Sequence, residues 1–228
     1  LKAPAAWVAI GLVVFLGITN VLSTELPDAV AQLVSLGALG INVVGWPLAA
    51  WYSSRRWGTG NVVADLGLRP KWIDLPLGVL GAIAMTVALV IIGMITQALG
   101  LQEGSNLNGV KEQVTENPGQ RTAMFLTLFV VAGIIAPLTE ELLFRGLMLR
   151  GLLSKMPIWG AIAVQSVIFG FAHFTPSEGW GNVTMVLALG TVGFVLGVIA
   201  YATGRLWTGM VAHAVFNCFQ LTMLWLTL

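Results

Sequence analysis

Residues 122–153, TAMFLTLFVVAGIIAPLTEELLFRGLMLRGLL, decide how the rest of the chain is read. The stretch carries no charge before Glu140. As a helix rising about 1.5 Å per residue it is long enough to cross the roughly 30 Å hydrocarbon core of a bilayer. The composition around it agrees: of 228 residues, 57% are apolar and only 9% are charged, against about 25% charged in soluble domains. The chain is therefore read as an integral membrane protein. Long apolar runs without the alternation of a barrel must satisfy their own backbone amides as helices, so the expected fold class is all-α.

Spans are expected near 5–22, 29–52, 73–100, 122–153, 157–175, 183–203 and 206–228. That makes a polytopic transmembrane helix bundle of seven spans, with an eighth left open upstream or inside a long run. The connections 23–28, 53–71, 102–121 and 175–182 carry Gly, Pro, Ser and Asn in turn-forming clusters. None is long and polar enough to fold apart from the bilayer, so residues 1–228 are read as a single integral-membrane domain. The loop 102–121 is either a lid or an external connection. The first run is followed by no cleavage-like small-residue signal and is read as a retained helix. The lone Cys218 excludes an internal disulfide framework. A net charge of +1 with scattered basic residues excludes nucleic acid as a partner.

Lysine and arginine set the expected orientation. With Lys2 inside, Arg55, Arg56, Arg69, Lys71, Arg145, Arg150, Lys155 and Arg205 fall on the same side, leaving only Lys111 and Arg121 opposite. An excess of that kind marks the cytoplasmic side. The expected location is a prokaryotic plasma membrane, multi-pass, with membrane lipid as a neighbour and the polar residues opening to the cytoplasm. Tryptophans 51, 57, 72, 159, 180 and 207 sit near span ends, where the headgroup layer suits them. Gly193 and Gly197 form a GxxxG read as packing within the bundle, not a dimer face. Oligomeric state is left undecided.

Ionisable groups at membrane depth cost about 2.5–3.5 kcal/mol each on insertion scales and normally face a protein interior or wet cavity. Here they are Glu140, Glu141 and Arg145 on the fourth span, His173 on the fifth, and His213 with Asn217 on the seventh. Glu141 and Arg145 are four apart with the acid first, the favourable order for an ion pair on one face. The alternative for Arg145 is snorkelling to the headgroups. Glu140 then points about 100° away. His213 and Asn217 share a face by the same spacing. Counted from the turn at Ser154–Pro157, Glu140 and His173 lie about 21 and 24 Å along their axes at ~1.5 Å per residue, so they match in depth. Pro137 removes a helix hydrogen bond and is expected to bend the fourth span just before Glu140. Ser166 and Cys218 have no evident base and orienter and are read as packing residues.

The motifs EELLFR at 140–145, FGFAH at 169–173 and HAVFN at 213–217 resemble the E-E-x-x-x-R, F-x-x-x-H and H-x-x-x-N motifs of the CaaX-protease and bacteriocin-processing (CPBP, Abi) family of intramembrane proteases. The likeness to type II CaaX prenyl endopeptidases covers about residues 122–217. It implies an endopeptidase that hydrolyses a bond in a membrane-associated peptide or protein, prenylated CaaX-type chains among them. By the same resemblance Glu140 is the base that activates water, His173 helps hold that water, and His213 and Asn217 face the developing oxyanion. Glu141 and Arg145 support them. Two metal readings follow from the family: a metal-free glutamate protease, favoured by the helix-face argument, and a zinc enzyme with Glu140, His173 and His213 as ligands. A different class also stays open, a non-catalytic membrane scaffold or a proton-coupled transporter using the same polar cluster. The absence of an internal repeat argues against the transporter.

Overall fold

The computed structural model describes residues 1–23, 26–116 and 118–228, and among them the regular structure is helical, with no strand. Beside short 3₁₀ turns at Pro118–Gln120 and Pro176–Glu178, nine longer helical stretches follow in order among the described residues. They are α1 (Pro4–Ser23), α2 (28–57), α3 (Val62–Leu66), α4 (Asp74–Ala98), α5 (Asn108–Glu116), α6 (Arg121–Leu152), α7 (Ile158–Phe171), α8 (Gly181–Thr203) and α9 (Leu206–Thr227). Four of them, α4, α6, α8 and α9, are long and apolar enough to cross a membrane, while Pro4–Thr19 and α7 are shorter apolar helices. Helical stretches thus occupy all seven predicted positions, but the fifth is trimmed. α7 ends at Phe171 after 14 residues, so the expected span 157–175 overruns its last turn. The two loops read as irregular each contain a short helix, α3 and α5.

α6 is not one regular helix. A π-helical turn at Val131–Ile135 precedes Ala136–Glu141, and a second π segment runs over Leu142–Leu149. Such segments recur at functional sites because they shift the phase of every side chain beyond them. The first answers to Pro137. Ala136 N–H bonds the Val131 carbonyl in the five-residue register; in that register the Ala132 carbonyl faces residue 137, a proline without an N–H. The Asn217 amide donates to that carbonyl instead, at 2.9 Å. The expected kink is a change of register stitched to a neighbouring helix.

Packing brings α4, α8 and α9 together and lays α7 along α8. Small residues set these approaches. A Cβ on Gly193 would lie 3.1 Å from the Phe169 ring and one on Gly197 2.7 Å from Gln165 Nε2, so the GxxxG is consumed inside the bundle, as close backbone approach requires. At the end rich in lysine and arginine, Asp74 accepts from Arg205 Nε at 2.7 Å and from the Thr208 hydroxyl, Trp207 Nε1 donates to Leu68 O at 2.9 Å, and Arg150 reaches Gly204 O at 2.8 Å. These bonds fix the α8–α9 turn against the loop after α3. Trp207 is therefore tied inward, whereas Trp72, Trp159 and Trp180 stay exposed at helix ends. At the opposite end the segment before α5 is strapped down. Glu178 accepts from Ser105 N at 3.2 Å and Asn108 Nδ2 at 3.0 Å, and Thr184 donates to Gln102 O at 2.8 Å.

Candidate active site

The polar residues of α6 and α9 meet in the middle of the bundle. Arg145 is fully buried; its Nη1 lies 2.9 Å from Glu141 Oε1, with both side chains at 0% exposure. Its Nη2 donates to Gly193 O at 3.1 Å, and the guanidinium sits 4.6 Å from the Phe169 ring centroid. Of the two readings of Arg145, pairing is the one the packing adopts. A guanidinium with a carboxylate, a carbonyl and an aromatic face around it is compensated as a buried charge must be.

Glu141 does a second job. The same Oε1 lies 3.1 Å from His213 Nδ1, while His213 Nε2 lies 3.9 Å from Glu140 Oε2. One imidazole therefore stands between two adjacent carboxylates. Their directions differ by about 100° on a helix, and a flat ring entering from α9 reaches both. Glu141 thus reaches His213 as well as Arg145. A carboxylate ion-paired to Arg145 only accepts, so His213 carries its proton on Nδ1 and turns Nε2 toward Glu140. Glu140 is the open member of the pair, 23% exposed where Glu141 is sealed.

His173 lies in the turn beyond α7, not on the helix. Its Nδ1 is 2.8 Å from Phe169 O, an obligate acceptor, so it too carries Nδ1–H and leaves Nε2 free. The Phe169 ring packs against both histidines, with centroids 4.8 Å from His173 and 5.9 Å from His213. Sequence reasoning gave Phe169 a place in a motif but no task. In the structure its ring packs against both imidazoles and Arg145, and its backbone carbonyl sets a tautomer. Gln165 was missed altogether: buried, it donates to Gly193 O at 3.0 Å beside Arg145's bond to the same oxygen. A glutamine in an apolar helix was the available signal.

Asn217 takes a different partner from His213. Its Nδ2 is bound to Ala132 O, and the residue lines a cavity of about 300 Å³ with Leu89, Thr96, Ala132 and Phe216, roofed by Gly104–Leu107 of the strap. Ser166 donates to Ile162 O at 2.6 Å and Cys218 faces Gly133 O, bonds that occupy each in helix packing. As a zinc site the residues do not fit as they stand: among the described residues no three His, Cys, Asp or Glu side chains are gathered closely enough to hold a metal ion.

The helical fold, with four helices long and apolar enough to cross a membrane, and this buried polar cluster define a polytopic helical membrane protein. Residues 122–219 match the family described as Type II CAAX prenyl endopeptidase Rce1-like, so this segment is similar to that family's domain. Every candidate residue lies within it. A curated relative named "Putative membrane peptidase YdiL", from Bacillus subtilis (strain 168), is 28% identical over 96 residues, covering 42% of this chain and 36% of that protein. The aligned region therefore spans only about a third of the relative's length. No solved structure matches the chain.

Proposed function

We propose that the protein is an intramembrane endopeptidase in which Glu140 activates water against a peptide bond of a membrane-associated substrate, prenylated CaaX-type chains being the first class to test. The observation that carries this reading is the division of labour between the two glutamates. Glu141 is spent on Arg145 and His213 and sealed from solvent, leaving Glu140 as the carboxylate a water can reach, 3.9 Å from an imidazole nitrogen. That gap is too long for a good direct hydrogen bond and suits groups that share a water.

In the proposed reaction Glu140 removes a proton from that water as the oxygen attacks the scissile carbonyl, and returns it to the leaving amine. His173 Nε2 helps hold the water. His213, its Nδ1–H held by Glu141 and its Nε2 turned toward Glu140, lies where the oxyanion develops. Asn217, with one amide proton on Ala132 O, has a second to offer. Donors of this kind contribute about 2.7–4 kcal/mol each where they have been removed. The hydrolysis proposed draws on no metal. By the excess of basic residues, the end bearing Arg150 and Arg205 faces the cytoplasm of a prokaryotic cell and the site opens there.

The test is cleavage of a fluorogenic CaaX peptide, with and without farnesyl on its cysteine, by protein in proteoliposomes. Release of the last three residues is expected. Glu140→Gln should lower it by about 10²–10⁴-fold with the protein still folded, and chelation should leave it unchanged. Undiminished cleavage by Glu140→Gln rejects the base, and loss on chelation rejects the metal-free route. Proton flux abolished by the same variant, without cleavage by the parent, would favour a transporter.

A further inference from the structure

Helix propensity alone favours alanine over glycine in a helix interior, yet α9 has a buried glycine one turn before His213. Gly209, His213 and Asn217 are spaced by four and so share one face. The space that a side chain at 209 would take is filled by Glu141. An ideal Cβ there would lie 2.7 Å from Glu141 Oε2 and 3.4 Å from its Cδ. Oε2 is buried and, among the described residues, has no hydrogen-bond partner, while Oε1 holds both Arg145 and His213. One oxygen of the carboxylate thus makes its bonds and the other rests on bare backbone.

We propose that Gly209 is a positioning residue: by lacking a side chain it opens a notch in α9 that seats the Glu141 carboxylate, and the seat aims Oε1 at His213 Nδ1. This rests on the peptidase reading only for its consequence in catalysis. The clash a methyl would create falls on the far end of a flexible side chain, so the fold can absorb it by moving the carboxylate. What it cannot absorb is the loss of aim. A displacement near 1 Å in a supporting group costs about 10²-fold in rate.

The chain has two histidines, so ¹⁵N-histidine labelling in lipid nanodiscs gives two imidazole signatures. In Gly209→Ala the His213 Nδ1–H resonance should lose its hydrogen-bonded shift, while His173, bonded to Phe169 O, keeps its own. Cleavage of the farnesylated peptide should fall about 10²-fold in kcat with KM within about twofold. In a Glu141→Ala/Arg145→Met background, which removes the carboxylate and strands no charge, adding Gly209→Ala should change neither the His213 signature nor the melting temperature. An unaltered His213 signature in Gly209→Ala overturns the proposal. So does an equal loss of stability from Gly209→Ala in both backgrounds, the mark of packing alone. Failure to fold in the parent with normal folding in the double background supports it. An altered signature with undiminished cleavage upholds the positioning role and refutes instead the catalytic reading of His213.

Discussion

Replacing Arg145 with methionine isolates the strongest interaction in the site. Methionine keeps most of the apolar stem against Phe169 but leaves the Glu141 carboxylate, at 0% exposure, without its cation. Breaking one side of a buried pair costs about 3–5 kcal/mol, because the survivor is an uncompensated charge. The lost bond to Gly193 O falls within that figure, since the desolvation of the guanidinium is lost with it. Glu141→Gln should cost about as much by stranding the arginine. The double variant strands nothing, and a glutamine can still meet His213, so its stability should return to within about 1–2 kcal/mol of the parent. The two effects are then strongly non-additive, with a coupling above about 2 kcal/mol. Reversible unfolding in mixed micelles, titrated with a denaturing detergent, measures all three. If Arg145→Met costs less than about 1 kcal/mol, or the double variant equals the sum of the singles, the arginine is a headgroup-seeking residue and the buried pair is refuted.

Asn217→Leu leaves the Ala132 carbonyl facing a proline; an unsatisfied buried acceptor should cost about 1–3 kcal/mol in the same unfolding assay, and an unchanged midpoint would mean that carbonyl finds another partner. Asp65 on α3 gives stability its own pH dependence. Burial opposes the charge of Asp65, but hydrogen bonds from Ser54 and from the Thr59 amide and hydroxyl outweigh it and hold the carboxyl below its usual range. A depressed folded value means stability that is present above the unfolded value of about 3.8 and is lost as pH falls through the lower folded one. The destabilisation caused by Asp65→Asn should accordingly be constant near neutrality and shrink below about pH 4; a difference that persists into strong acid would refute the assignment.

How much of this could be read from residues alone differs by feature. The helical class and the positions of the apolar stretches follow from composition and run length, because a chain in lipid must bond its own backbone. The i,i+4 relation of Glu141 and Arg145 and the shared face of His213 and Asn217 are properties of a single helix, and the motifs placed the candidate residues in 122–217. The end of α7 was less legible: Ala172 and Phe174 are as apolar as the helix before them, and the turn is made by the Thr175–Asn182 hydrogen bonds beyond. The contact of Glu141 with His213 was not legible, because helix periodicity describes each helix in isolation.

Local periodicity in this sequence determined which residues share a helix face and that those faces lie in a membrane. It could not say which faces meet. That was decided by where small residues let helices close up: Gly193 and Gly197 admit Phe169 and Gln165, and Gly209 admits Glu141. The unmet Ala132 carbonyl before Pro137 then draws in Asn217. Hydrogen bonds and close contacts between distant helices depend on three-dimensional distance, which spacing along one chain does not encode. The wedge of His213 between two glutamates therefore belongs to the tertiary structure.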